Sequence, residues 1–197
     1  MILTVASYKG GAGKSTSAIH LAAFLAERGP TVLVDGDPNR SALAWSKRGS
    51  LSFEVVDERQ ATRSVRAAEH VVIDTPARPS REDLESLAGG CDMLVIPSTP
   101  DFLGLHTLLS TVEALKGIGA ERFRIALCIV PPYPNRDGED ARKMLTEAGL
   151  PVLAGQVRRA TAFSRAALSG VVVRDLKDPR ALDCWNDYAA IGRELMP

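Results

Sequence analysis

The residues with the most chemical content come early. From Lys9 to Thr16 the chain reads KGGAGKST. Glycines at 10, 11 and 13 allow a tight backbone turn and leave its N–H groups unobstructed, so that they form a concave nest for phosphate oxygens. A helix opening directly behind the loop adds its positive N-terminus to the same place. Lys14 can then reach the β- and γ-phosphates of a nucleotide, and the Ser15 hydroxyl can ligate Mg2+. Lys9, Gly10, Gly11, Ala12, Gly13, Lys14, Ser15 and Thr16 are the residues expected to bind ATP, with Thr16 also an ordinary first-turn residue of the helix. The usual spacing is G-x-x-x-x-G-K-[ST]. Here Tyr8 takes the first glycine position and a second lysine, Lys9, follows it. A lysine this early points away from the phosphates that its own loop holds. It can reach those of a second subunit across a two-fold axis, as an arginine finger does. Equally, it can be a solvated surface lysine.

Two further segments carry acids. VLVDGDP places Asp35 and Asp37 just past an apolar run, and VVIDTP places Asp74 at the end of another. Phosphoryl transfer needs mostly positioning and electrostatics. Asp37 is the expected water-positioning residue, Asp35 is expected nearer the metal shell, and Asp74 is expected to hold magnesium through water. The catalytic set is therefore Lys9, Lys14 and Asp37, and the metal set Ser15, Asp35 and Asp74. Asp, Gly and Pro in D-G-D-P are also plain turn formers. The loop from Thr75 to Arg81 is a natural γ-phosphate sensor.

These residues need a frame that brings three strand ends together. Short apolar runs at 2–7, 31–35, 71–74, 93–96 and 125–130 read as buried strands. They are too apolar for one-sided sheets. Between them lie helical stretches at 15–28, 80–88, 102–116, 137–148 and 179–195. Strand then helix, repeated, predicts an α/β protein: a doubly wound, mostly parallel sheet with helices on both faces, of P-loop type. In such a fold the ligand lies at the C-terminal ends of the strands.

The 197 residues suit one domain, 1–197, able to bury a full core. With 24 basic and 24 acidic side chains the net charge is zero, so any nucleic-acid contact must come from a local patch. Cys91, Cys128 and Cys184 form no CxxC pair, and no apolar run reaches membrane-span length. Met1 leads straight into a strand, without a leader segment. The expected compartment is the cytoplasm.

Taken together, KGGAGKST, VLVDGDPNRSALAWSKRG, VVIDTPA, LVIPSTPDFLGLHTLLSTVEAL and GQVRRATAFSRAALSGVVV resemble successive motifs of the ParA/MinD family of deviant-Walker ATPases. The resemblance spans nearly the whole chain, which resembles the small plasmid-type ParA proteins in its length. DGDPNRSALAWSKRG and DPRALDCWNDYAAIGREL further resemble the carboxysome-positioning McdA subgroup. It implies that Lys9 contacts the nucleotide of a partner in an ATP sandwich homodimer, that Asp37 supports a slow hydrolysis, and that Asp74 serves the metal. It also implies non-specific DNA (nucleoid) binding and a ParB-like or McdB-like adaptor that stimulates turnover. In many relatives an Asn near a late strand end reads adenine. Here Ile129-Val130-Pro131-Pro132 stands there.

Within that family, the tail after Leu182 lacks the basic amphipathic character of a membrane-binding helix. It is expected to pack on the sheet through Leu182, Trp185, Tyr188 and Ile191. Cys91 and Cys128 lack the glycine-rich surroundings of a cluster ligand and read as buried thiols. Arg158, Arg159 and Arg165 are the candidate DNA contacts, the other reading being a solvated helix face or arginines that serve the nucleotide or dimer. The alternative function is a P-loop ATPase without DNA binding, acting as an ATP-dependent enzyme or a metal- or protein-targeting NTPase.

Overall fold

The computed structural model describes residues 1–196. In chain order the elements are β1 (Ile2–Ser7), α1 (Lys14–Ala26), β2 (Thr31–Asp35), α2 (Ser41–Ser46), β3 (Glu54–Asp57), α3 (Ala61–Ala67), β4 (His70–Ala77), α4 (Arg81–Gly89), β5 (Met93–Ser98), α5 (Phe102–Gly117), β6 (Phe123–Val130), α6 (Asp137–Glu147), β7 (Val152–Arg158), α7 (Thr161–Ser169) and α8 (Ala181–Leu195). The strands form one sheet in the order β3-β2-β4-β1-β5-β6-β7, and every neighbouring pair is parallel.

Alternation along the strands sends side chains to two cores. Leu3 and Val5 of β1, Leu33 of β2 and Ala126 and Cys128 of β6 join Ile19, Phe24, Trp185 and Tyr188 beneath α1 and α8. Ala6 of β1, with Phe123, Ile125 and Leu127 of β6, faces Leu84, Leu108, Leu115 and Leu145 of α4, α5 and α6. The five inner strands are the five apolar runs expected from sequence. The two edge strands are not apolar runs. β3 is EVVD and β7 is VLAGQVR, each covered less fully than the centre. That is the physical reason for missing them in a search for continuous apolar segments. Helices α2 and α3 span six and seven residues, too short to show a period.

The C-terminal helix differs from expectation at one position. Trp185, Tyr188 and Ile191 are buried against α1 and β7, whereas Leu182 is 65% exposed. Its burial is taken instead by Ala181 and Cys184 on the inward face. His20 ties α1 into the same core. It accepts from the Val173 amide through Nε2 at 3.2 Å, which leaves the proton on Nδ1 to donate to the Thr16 carbonyl at 2.7 Å. Its ring stacks on Tyr188 with centroids 4.7 Å apart. Complete burial lowers its pKa to about 4.

Candidate nucleotide-binding site

The glycine loop lies between β1 and α1 at the centre of the sheet. Gly11 and Gly13 have φ of 79° and 89°, left-handed values that a side chain disfavours. Gly13 is also the N-cap of α1, so the helix starts at Lys14 with its amides open to the loop. A cavity of about 800 Å³ opens here, lined by Lys9, Gly10, Gly11, Gly13, Lys14, Ser15, Thr16, Asp37 and Asn39. Ala44 and Trp45 of α2, Arg48 just past its end, and Ser164, Ala167 and Leu168 of α7 form its far wall. Both segments of this wall lie in motifs named from the sequence, but no site role was expected of these residues. Trp45 fastens it by donating from Nε1 to the Val171 carbonyl at 3.0 Å.

Lys14 is the electrostatic centre. Its ammonium lies 2.8 Å from Asp37 Oδ2 and 3.4 Å from Asp74 Oδ1. Partial burial pushes the Asp37 carboxyl up, but the Lys14 ammonium and the Asn39 amide outweigh it and hold it below the usual range. Burial dominates at Asp74 and raises its pKa to about 6, offset only in part by Lys14 and by the neighbouring Ser15 hydroxyl. Asp74 Oδ2 is buried and has no hydrogen-bond partner. An orphaned carboxylate oxygen beside a serine hydroxyl fits a hydrated magnesium ion, which keeps several waters and takes one or two protein oxygens. Among the described residues no group of three His, Cys, Asp or Glu forms a cage of its own, so such an ion would share its remaining ligands with phosphate.

Asp35, expected nearer the metal shell, has both oxygens facing backbone amides. Its Oδ1 accepts from the Asp37 amide at 3.1 Å and its Oδ2 from the Leu43 amide at 2.9 Å. Through these bonds Asp35 shapes the loop that presents Asp37 and anchors the start of α2. Arg40 assists. It sits at φ 50°, donates to the Asp35 carbonyl at 2.6 Å and pairs with Asp57 at 3.1 Å, joining the ends of β2 and β3. β4 runs on to Ala77, past Asp74, so the loop before α4 is shorter than 75–81.

Lys9 also has a defined place. Its ammonium contacts Thr99 Oγ1 and Asp101 Oδ1, each at 3.3 Å, rather than the acids around Lys14. A second cavity, of about 410 Å³, adjoins the first beside Gly13 and Thr16 and is walled by Cys128, Ile129, Val157, Ala160, Phe163 and Tyr188, with Arg159 at its edge. Ile129 holds φ at 57°, a costly value for a β-branched residue and a sign of local constraint at a site. Cys128, buried beside Ser17, has its thiol pushed up to about 12. All three cysteines are buried free thiols.

The arginine cluster is not one open patch. Arg158 pairs with Asp187 through two bonds of 2.7 and 2.8 Å, and also approaches Asp183. Arg165 pairs with Asp178 at 2.7 Å. Arg159 is exposed and forms no ion pair among the described residues.

A parallel sheet with a lysine-bearing glycine loop at its centre and two buried acids around that lysine defines a P-loop nucleotide-binding protein. Residues 3–173 match the family described as the CobQ/CobB/MinD/ParA nucleotide binding domain, and the chain belongs to that family. It is 32% identical to the maintenance of carboxysome distribution protein A of Gloeobacter kilaueensis, over 98% of this chain and 93% of the relative. The protein of the same description in Halothiobacillus neapolitanus is 29% identical, over 99% and 96%. A plasmid partition protein of Borrelia burgdorferi, solved with AMPPNP, has the same fold at a TM-score of 0.74 and 19% identity, covering 98% of this chain and 97% of that one. No helix of the described residues is long and apolar enough to cross a membrane.

Proposed function

We propose that the chain is an ATP-driven positioning ATPase of the cytoplasm. ATP closes a homodimer, the dimer holds non-specific DNA of the nucleoid, and a ParB-like or McdB-like adaptor on a cargo stimulates hydrolysis. Kinship over nearly full length to two carboxysome distribution proteins favours a carboxysome as cargo. The observation that carries the reading is the division of labour between the two loop lysines. Lys14 is enclosed by Asp37 and Asp74, while Lys9 leaves that centre alone and sits in an exposed pair with Asp101, from which it can serve another subunit.

In this reading the loop amides and Lys14 bind the β- and γ-phosphates, and the smaller, mainly apolar cavity takes the base. Ser15 and Asp74 hold Mg2+, which neutralises charge on the phosphate oxygens. Asp37, freed when Lys14 turns to phosphate, orients the attacking water. Lys9 of the second subunit supplies the remaining positive charge, so a lone subunit turns over slowly.

Co-sedimentation with non-specific duplex DNA tests it, with Mg2+ and ATP against ADP at two salt concentrations. Retention with ATP alone, lost at higher salt, is the expected result. Absence of retention in both states removes the DNA-based mechanism and leaves the DNA-free ATPase with a protein client or small-molecule substrate.

A further inference from the structure

Lys9 is the one phosphate-loop side chain whose contacts lead out of the site. Its Nζ donates to Asp101 Oδ1, and that same oxygen accepts from the Gly104 amide at 3.0 Å as the N-cap of α5. Thr99, the other acceptor, is clamped from behind. A Cβ on Gly104 would lie 2.2 Å from Thr99 Oγ1, so only glycine lets α5 start this close to the strand end. The hydrogen bond of Thr99, the Gly104 amide and Lys9 together hold the Asp101 carboxyl down at about 2, so it is ionised throughout the physiological range.

The pair is nonetheless loose. The side chains are 31% and 52% exposed, and Lys9 sits near the positive end of a helix, where a cation is unwelcome without Asp101. Such a contact holds a lysine in place but yields to a phosphate group of higher charge. Phe102 and Leu103, 78% and 65% exposed, follow Asp101 directly. Anything that covers this end of α5 therefore meets the pair.

We infer that Asp101 is a positioning residue that parks Lys9 within its own subunit and releases it when a second copy approaches, so that the pair sets the threshold for ATP-dependent dimerisation. The inference rests on the reading that Lys9 acts across the dimer. Breaking the pair costs each subunit one exposed ion contact before its lysine can cross over. Removing the charge of Asp101 lifts that cost while leaving the helix cap in place, because Asn and Ser cap as well as Asp does.

The test is sedimentation equilibrium with Mg2+ and a non-hydrolysable ATP analogue, together with ATP turnover against protein concentration. Wild type is compared with Asp101→Asn, Asp101→Ser, Lys9→Met and the Lys9→Met/Asp101→Asn double variant. Loss of one exposed pair per subunit is worth about threefold, hence roughly tenfold in the dimer Kd. Both Asp101 variants should dimerise at lower concentration and reach half-maximal turnover earlier, and Asp101→Asn should have no such effect on the Lys9→Met background. A merely structural role would weaken the dimer whatever stands at position 9. If Lys9→Met weakens dimerisation but both Asp101 variants match wild type or need more protein, the parking role is wrong and the trans lysine stands. If Lys9→Met dimerises and hydrolyses like wild type, the trans lysine itself falls and the parking role with it.

Discussion

Lys14 Nζ lies 2.8 Å from Asp37 Oδ2 inside a site where both side chains are under a tenth exposed. The lysine expected to bind phosphate is thus paired with the acid expected to orient water. In the proposed mechanism, phosphate takes the place of Asp37 on Lys14 and so frees the carboxylate for its task.

Two substitutions separate the partners. Lys14→Ala should weaken ATP binding on the order of 100-fold or more, since it removes a charge-assisted contact to phosphate. For binding, Asp37→Ala removes a competitor of phosphate for Lys14. It should bind ATP at least as tightly as wild type, hydrolyse it on the order of 100-fold more slowly, and accumulate as an ATP-bound dimer. Calorimetry and single-turnover assays read both. Wild-type turnover in Asp37→Ala would end the catalytic role of that residue.

Asp35 and Asp74 lie side by side in register on β2 and β4, yet different outcomes are expected. Asp35→Ala leaves one buried and one part-buried amide without acceptors and should cost about 2 kcal/mol of stability. Its magnesium dependence, where it still folds, should be unchanged. Asp74→Asn should fold and lose its magnesium dependence. Urea titrations and Mg2+ titrations of ATP binding distinguish the two, and a raised Mg2+ requirement in folded Asp35→Ala would restore Asp35 to the metal shell.

Acid should expose two opposed groups. His20 is lowered from 6.5 to about 4, so the unfolded chain takes up its proton first, and stability present above pH 6.5 is lost as pH falls towards 4. Asp74 is raised from 3.8 to about 6, so its proton is taken up first by the folded state, and stability present below pH 3.8 is lost as pH rises through 6. At about 1.4 kcal/mol per pH unit, each amounts to about 3 kcal/mol. The two contributions nearly cancel. Asp74→Asn should therefore become steeply less stable than wild type between pH 6 and 4, and His20→Gln relatively more stable. Denaturant unfolding at several pH values measures both, and parallel profiles for all three proteins would refute the assignment.

For DNA, the pairing pattern ranks the arginines. Arg159→Ala should weaken retention and reduce the salt slope by about one. Arg165→Ala, which breaks an ion pair with Asp178, should change retention less. Arg158→Ala should chiefly loosen α8 through Asp187. Filter binding against salt, beside melting curves, separates lost phosphate contacts from lost packing. Equal effects from Arg159 and Arg165 would mean that the Asp178 pair opens on DNA.

The sequence by itself determined the phosphate loop, the order of its acids and the five inner strands. These are local signals: glycines that a turn requires, a lysine at fixed spacing, and strands buried on both faces that must be apolar throughout. The edge strands β3 and β7 carried no such signal, because an edge has fewer neighbours and tolerates polar residues. The tertiary structure decided what each charge faces. The sequence put Asp35 nearer the metal and Asp37 at the water, but the fold turns both Asp35 oxygens to backbone amides and sets Asp37 Oδ2 on Lys14. Arg158 and Arg159 are adjacent, but only one meets Asp187. Lys9 and Asp101 are 92 positions apart, and only the parallel neighbours β1 and β5 bring them together. Spacing along a chain fixes residue types at a turn, whereas the partner of a charge depends on which strands lie side by side.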